Sequence, residues 1–383
     1  MQILTVDVGT GTQDILLYDS ALDLENNFKM VLPSPTMRVA GRIRAATQAR
    51  RPVVLTGVTM GGGPCQWAAR DHARAGLPVY ATPGAARTFN DELDVVEREM
   101  GIRMVSPDEA AQVGGDAEHL EMRDFDLPAI RAAFAAGGVD LALDGLAVAV
   151  FDHGNAPPGY SDRQFRFDFL TERLGRSQGL PVEDQLGGFA YPATSVPPDL
   201  TRLAAVAHTL DFDPARTVLM DTAPAAVLGA LLDPAVARLA HALVVNVGNF
   251  HTLAFRLGPD GVEGMFEHHT GEIDLARLDD LLAGLAAGTL THRDVFDDKG
   301  HGALVMRPAA LDTAAPGFGV AVVGPRRGLM RASRHHPYFA VPFGDMMIAG
   351  CFGLLRAYAR MIPETRATLV ESLSGTPRGA PWG

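Results

Sequence analysis

Two segments 239 residues apart obey one rule: a polar residue, a valine and a glycine close an apolar run, and a second apolar run follows within a few residues. The first is Asp7-Val8-Gly9-Thr10-Gly11-Thr12, between apolar runs at 3–8 and 15–18. The second is Asn246-Val247-Gly248-Asn249-Phe250-His251-Thr252, between runs at 243–248 and 253–257. Each reads as strand, tight turn, strand. Alone, either is compatible with an ordinary β-turn. In register they point to duplicated lobes, and such a repeat constrains the fold more than local propensity does. They also point to a chemistry. Glycine lets the backbone approach an anion, the turn amides donate to its oxygens, and a leading carboxylate such as Asp7 can hold hydrated magnesium.

The rest of the chain fits two lobes. A length of 383 residues exceeds one ordinary core, and 47% hydrophobic with 20% charged residues is a globular balance. Strand-like runs at 53–57, 77–81, 146–151, 217–220, 262–266 and 320–323 alternate with helical stretches at 66–75, 162–176, 199–210, 221–232, 274–286 and 345–361. That alternation is the mark of an α/β protein. Residues 89–138 read as mostly helical, with Ser106-Pro107-Asp108-Glu109 supplying cap, proline and acidic first turn. The expected division is a first lobe over 1–236 with insertions, completed by a helix at 345–362, and a second lobe over 237–344. Residues 374–383, rich in Ser, Gly, Pro and Thr, read as a frayed tail.

Charge and cysteine content narrow the function. A formal charge of -12 without a basic run argues against a nucleic-acid partner, whose binding needs basic patches. No 18-residue apolar stretch occurs, and the N-terminus enters a strand pattern without a charged leader or cleavage site, so the expectation is a cytoplasmic protein with no membrane partner. Cys65 and Cys351 stand alone, too few for a disulfide framework or a zinc cage. Lys29 and Lys299 are the only lysines, leaving 31 arginines, so a phosphate-binding cation here is expected to be an arginine fork.

A third element joins the two turns. Asp221-Thr222-Ala223-Pro224-Ala225-Ala226-Val227-Leu228-Gly229-Ala230-Leu231 is a strand end followed by a helix of small side chains, which suits a close helix crossing between lobes. Taken together, the motifs resemble those of the superfamily that unites actin, the acetate and sugar kinases and the heat-shock ATPases. Residues 7–18 resemble its first phosphate motif, 246–255 its second, 221–231 its connecting helix, 320–328 its adenosine motif and 344–357 its second connecting helix. The order along the chain is the expected one. The resemblance implies two ribonuclease H-like (actin-like ATPase) lobes facing across a nucleotide cleft, with ATP and Mg2+ as cofactors. It implies phosphate contacts from Gly9, Thr10, Gly11, Thr12, Asn246, Gly248, Asn249, His251 and Thr252, adenosine contacts from Gly324, Pro325 and Arg326, magnesium at Asp7, and Asp221 orienting water or magnesium.

Three departures stand out: Asn246 replaces the usual carboxylate, Phe250 and His251 replace small residues, and Pro325-Arg326 replaces the second glycine of the adenosine turn. Within the superfamily, Asn246-Val247-Gly248-Asn249, Phe266-Glu267-His268-His269-Thr270-Gly271 and Asp297-Asp298-Lys299-Gly300-His301-Gly302 are similar to a family called putative pyruvate formate-lyase activating enzyme. A radical activase of the usual kind needs three close cysteines for an iron-sulfur cluster, and two cysteines 286 residues apart cannot supply them.

Twelve histidines include His153, His251, the pair His268-His269, His301 and the pair His335-His336. Imidazoles near carboxylates suit zinc, iron or manganese, with His268, His269 and His301 as the candidate ligands, or they line a polar cleft by hydrogen bonding. Adjacent residues on a strand point to opposite faces, which counts against paired ligands. Asp152, at a strand end before His153, is either a base for a substrate hydroxyl or a turn former. The expected function is therefore an ATP-binding enzyme, a small-molecule kinase or an ATPase acting on a partner protein. The alternatives are a non-catalytic nucleotide sensor or scaffold, which Asn246 favours, and a metal-dependent hydrolase.

Overall fold

The computed structural model describes residues 1–377. Strands β1 (Gln2–Val8), β2 (Thr12–Asp19) and β3 (Phe28–Pro33) form an antiparallel meander, and Asp7 stands opposite Asp14 across the first hairpin. After a helix at Pro35–Gln48 the chain leaves this sheet and builds another. The new sheet contains β4 (Val53–Gly57), β5 (Val79–Ala81), β6 (Arg103–Met104) and β7 (Glu118–Met122), all parallel in the order β6-β5-β4-β7. The chain then returns through a helix at Leu127–Ala136 to β8 (Gly145–Val150), an edge strand β9 (Ala190–Pro192) and β10 (Thr217–Asp221). The first sheet has the order β3-β2-β1-β8-β10-β9, with β1, β8 and β10 parallel.

The second half repeats this plan. Strands β11 (His241–Val247), β12 (His251–Gly258) and β13 (Gly261–His269) form the meander, β14 (Gly302–Val305) extends it, and β15 (Phe318–Val323) and β16 (Tyr338–Phe339) run parallel beyond β11. The order is β14-β13-β12-β11-β15-β16. In both sheets a three-strand meander continues from its first strand into parallel partners, the ribonuclease H-like plan. β8 and β10 are buried at every residue, and β11 at all but two, as parallel strands covered on both faces require.

Residues 89–138 depart from expectation. Only short helices form there, and β6 and β7 complete the parallel sheet. β7 is Glu-His-Leu-Glu-Met, with helix-favouring residues and only Leu120 and Met122 buried, so pairing with β4 overrides propensity. The helix start at Ser106 is present as expected: its hydroxyl accepts from the Glu109 amide, and the Glu109 carboxylate accepts from the Ser106 amide at 2.7 Å.

Two helices cross between the sheets. One is Thr222–Ala230; the other runs Ala349–Met361, later than expected because Pro342–Gly344 forms a 3-10 turn with Phe343 and Gly344 at positive φ. A Cβ at Gly229 would overlap the Ala349 carbonyl, and one at Gly353 would overlap the Ala225 carbonyl. The largest apolar cluster includes both helices and residues of both sheets, among them Ala147, Val218, Val244, Phe255 and Ala321. Among the described residues no helix is long and apolar enough to cross a membrane. Of the expected tail, residues 378–383 lie outside the described residues.

Candidate functional site

The two glycine turns meet over a cavity of about 420 Å³, within the 300–1,000 Å³ range of ligand sites. Both close in the same way: the Gly9 amide donates to the Thr12 carbonyl and the Gly248 amide to the His251 carbonyl, each at 2.9 Å. The turns touch, since a Cβ at Gly11 would overlap the Asn249 side chain. Asp7, Gly9, Thr10, Thr12, Asn246, Gly248, Asn249 and His251 line the cavity, and so do Gly324 and Pro325 beyond β15. Gly324 has φ +99°, and a Cβ there would strike Asn246 and the Val247 carbonyl. Gly11, Arg326 and Thr252 are not among the lining groups. The Arg326 amide donates to the Val247 carbonyl, and the buried Thr252 hydroxyl is 3.0 Å from that of Thr270.

The carboxylates sort by what already holds them. Asp7 accepts from the Thr222 hydroxyl at 2.6 Å, and burial raises its carboxyl to about 7. Burial and then the charge of Asp7 raise Asp14 to about 8; its Oδ1 is buried without a hydrogen-bond partner among the described residues. Two facing carboxyls in the cavity, one with a bare buried oxygen, are a donor set that suits a divalent cation. The second turn has no equivalent, because Asn246 stands opposite Leu253. Asp152 lines the cavity, but its oxygens accept from the Gly154 and Leu203 amides, both at 2.9 Å. Asp221 does not line it. Its carboxylate accepts from Arg166 at 2.7 and 3.3 Å and from the Ala223 amide at 2.9 Å, so it is held as a buried ion pair and helix cap rather than presented to water.

The raised carboxyls set a pH dependence. The folded chain holds protons on Asp7 and Asp14 that the unfolded chain releases near pH 4. Stability from these protons is complete below about pH 4 and is lost as pH rises toward 7–8. With chelator present, Asp14→Asn is expected to stabilise the protein by about 1–3 kcal/mol at pH 8 and by under about 0.5 kcal/mol at pH 4. Urea denaturation at the two pH values checks this, and an equal effect at both would contradict a buried titrating carboxyl.

His153 and His251 line the cavity's other wall, with His301 buried behind them. His153 follows β8, His251 opens β12 and His301 precedes β14; their candidate ligand atoms lie within 4.8 Å of one another. The Nε2 atoms of His153 and His301 are 2.9 Å apart, and Phe151 stacks on His251 at 4.1 Å. Burial pushes His153 down to about 3 and His251 and His301 well below the usual imidazole value, so all three are neutral. His269 packs its ring 4.6 Å from that of His301 but is outside the trio. His268 points away: Nδ1 faces the His269 carbonyl at 3.1 Å and Nε2 faces Asp298 at 3.5 Å. Behind the trio, Arg166 donates to Glu267 at 2.9 Å and lies 3.8 Å over the Phe151 ring.

Some lining residues have no counterpart among the sequence candidates. The loops after β4, β5 and β7 bring Gly61–Gly63, Arg87–Asp91 and Asp124 into the same cavity. Asp14 was findable as the residue facing Asp7 in a hairpin; Arg166 and Thr222 carry no sequence signal.

Two ribonuclease H-like sheets, a pair of glycine turns and two crossing helices make up the fold of this chain. The chain belongs to the family described as "Putative pyruvate format-lyase activating enzyme (DUF1786)", which matches residues 60–329. Comparison with curated proteins gives no match. Among solved structures, the chain is similar to the ethanolamine utilization protein EutJ from Carboxydothermus hydrogenoformans, with 12% identity, 94% of this chain and 90% of that one covered, and a TM-score of 0.31. It is also similar to an exopolyphosphatase-like protein, with 10% identity, 85% of this chain covered and a TM-score of 0.27; the match spans 66% of that protein's length.

Proposed function

We propose that this protein binds a nucleotide by its phosphate tail between the two glycine turns and transfers the terminal phosphoryl group to a small polar molecule. The observation that carries this reading is the pair of turns with identical closing bonds, in contact across one cavity that also holds the unpartnered oxygen of Asp14. Asp7 and Asp14 would hold Mg2+, which supplies charge neutralisation on the phosphates. The turn amides position the tail, and Thr222 orients Asp7. Transfer is favoured over action on a partner protein by the inserted sheet, because parallel sheets bind ligands at the carboxyl ends of their strands and those ends open into this cavity.

Magnesium ATP or ADP at a hundredfold excess over its dissociation constant is expected to stabilise the chain by about 2.7 kcal/mol. An unchanged Tm at millimolar nucleotide would overturn the reading. A sensor is the second reading, supported by Asn246 and Leu253 and by the engagement of Asp152 and Asp221 in structural bonds. It requires the same shift with no phosphate transfer or release.

A further inference from the structure

The geometry points to a transition-metal site: we propose that His153, His251 and His301 bind one divalent ion of the zinc or iron(II) class, with a coordination position open to the cleft. Three segments remote in sequence bring three imidazole donors within 4.8 Å of one another, so that small ring rotations would reach the roughly 3.4 Å spacing set by tetrahedral Zn–N bonds of about 2.0–2.1 Å. Nε2 of His153 and Nε2 of His301 meet each other at 2.9 Å, a contact that an ion between them would replace. His251 Nε2, His301 Nδ1 and Glu267 Oε1 are buried without a hydrogen-bond partner among the described residues. Leaving such groups bare is costly; a bound ion would complete His251 Nε2, while His301 Nδ1 and Glu267 Oε1 face each other at 3.5 Å.

The surroundings have the form of a metal site. With Nε2 of His301 turned to the ion, its Nδ1 faces Glu267 Oε1 at 3.5 Å. A carboxylate behind a ligating imidazole fixes the ring and raises its basicity. Glu267 is in turn held by Arg166, and Arg166 by Asp221, so one guanidinium faces two carboxylates and the surplus charge is negative. Phe151 stacked on His251 restrains the second ring. Nitrogen donors without thiolate or several carboxylates suit zinc or iron(II) rather than magnesium or calcium. His153 and His251 line the cavity. Three protein ligands with one side open is the arrangement of catalytic rather than structural zinc, and the open position would take an anionic oxygen of whatever occupies the cleft.

Chelator-treated full-length protein, titrated with Co2+, is expected to take up about one ion per chain with visible d–d absorption, which excess Zn2+ abolishes. His153→Gln and His301→Gln should remove the band. Glu267→Gln should weaken Co2+ binding by about 10–100-fold while leaving the stoichiometry intact. Circular dichroism of each variant separates loss of ligand from loss of fold, and the wild-type titration decides the matter where a variant fails to fold. No uptake by the wild type, or undiminished uptake by both folded histidine variants, would overturn the proposal. Nucleotide binding is measured separately on chelator-treated protein with Mg2+ restored, so either result can fail without the other.

Discussion

Arg166→Met is expected to destabilise the protein by about 3–5 kcal/mol at pH 8, the cost of breaking a buried ion pair from one side. The guanidinium is 1% exposed and donates to Asp221 at 2.7 Å, to Glu267 at 2.9 Å and to the Asp152 carbonyl at 2.7 Å. Methionine fills much of the space but strands two carboxylates. Burial already raises Glu267 to about 7 even with Arg166 beside it. Without that cation its carboxyl rises further, and a raised carboxyl contributes stability at low pH that is lost as pH climbs through its folded value. The penalty should therefore shrink at pH 5. Adding Asp221→Asn and Glu267→Gln should recover part of it, because a buried triad replaced as a unit is often close to neutral. Urea denaturation at pH 5 and pH 8 is the measurement, and a loss under about 1 kcal/mol at pH 8 would show that the carboxylates find other partners. Arg166 sits on the helix Asp162–Arg176 and joins the end of β10 to β13, so the same substitution uncouples the two sheets.

What the sequence disclosed and what it hid follow from the range of the interactions. The glycine turns were legible because strand, turn and strand are contiguous, and because a backbone that must approach an anion needs glycine locally. Two such turns pointed to duplicated lobes, while the α/β class followed from the alternation of strands and helices. Asp14, just before the apolar run at 15–18, was passed over though hairpin register could have found it opposite Asp7; its importance comes from that register and from burial, neither of which is a property of residue type. The histidines misdirected attention. His268-His269 drew notice as neighbours, yet strand alternation sends His268 toward Asp298 and only His269 toward the cluster, whose members come from positions 153, 251 and 301. The resemblance implied that Asp221 orients water or magnesium, but a partner 55 residues away occupies its carboxylate. Of the inserted sheet, β4 and β5 were legible at 53–57 and 77–81, but β6 and β7 were missed, because β6 has two residues and β7 is rich in helix formers. Short parallel strands are specified by partners in space.

The crossing of the two buried helices carries the other large effect. Gly353→Val is expected to cost more than about 4 kcal/mol, beyond the usual range for a point substitution, because nothing there can yield. A Cβ at Gly353 overlaps the Ala225 carbonyl oxygen and comes within 2.9 Å of the Gly229 amide nitrogen, and both obstacles are backbone of the other helix. Relief would require the helices to separate, opening the largest apolar cluster, which both sheets share. Gly41 is the internal control: it lies in the helix Pro35–Gln48, is exposed, and has nothing within 4 Å of its Cβ position. Gly41→Ala should therefore stabilise by about 0.5–1 kcal/mol through helix propensity alone. Gly350 separates the crossing from the site, because a Cβ there would overlap Asp7 Oδ2 rather than backbone. Gly350→Ala should displace the Asp7 carboxylate, so that nucleotide-dependent stabilisation falls while the nucleotide-free protein loses less than Gly353→Val does. Thermal denaturation of the three glycine variants with and without magnesium ADP distinguishes these cases. A Gly353→Val protein that melts with the wild type would mean that the helices do not cross in contact.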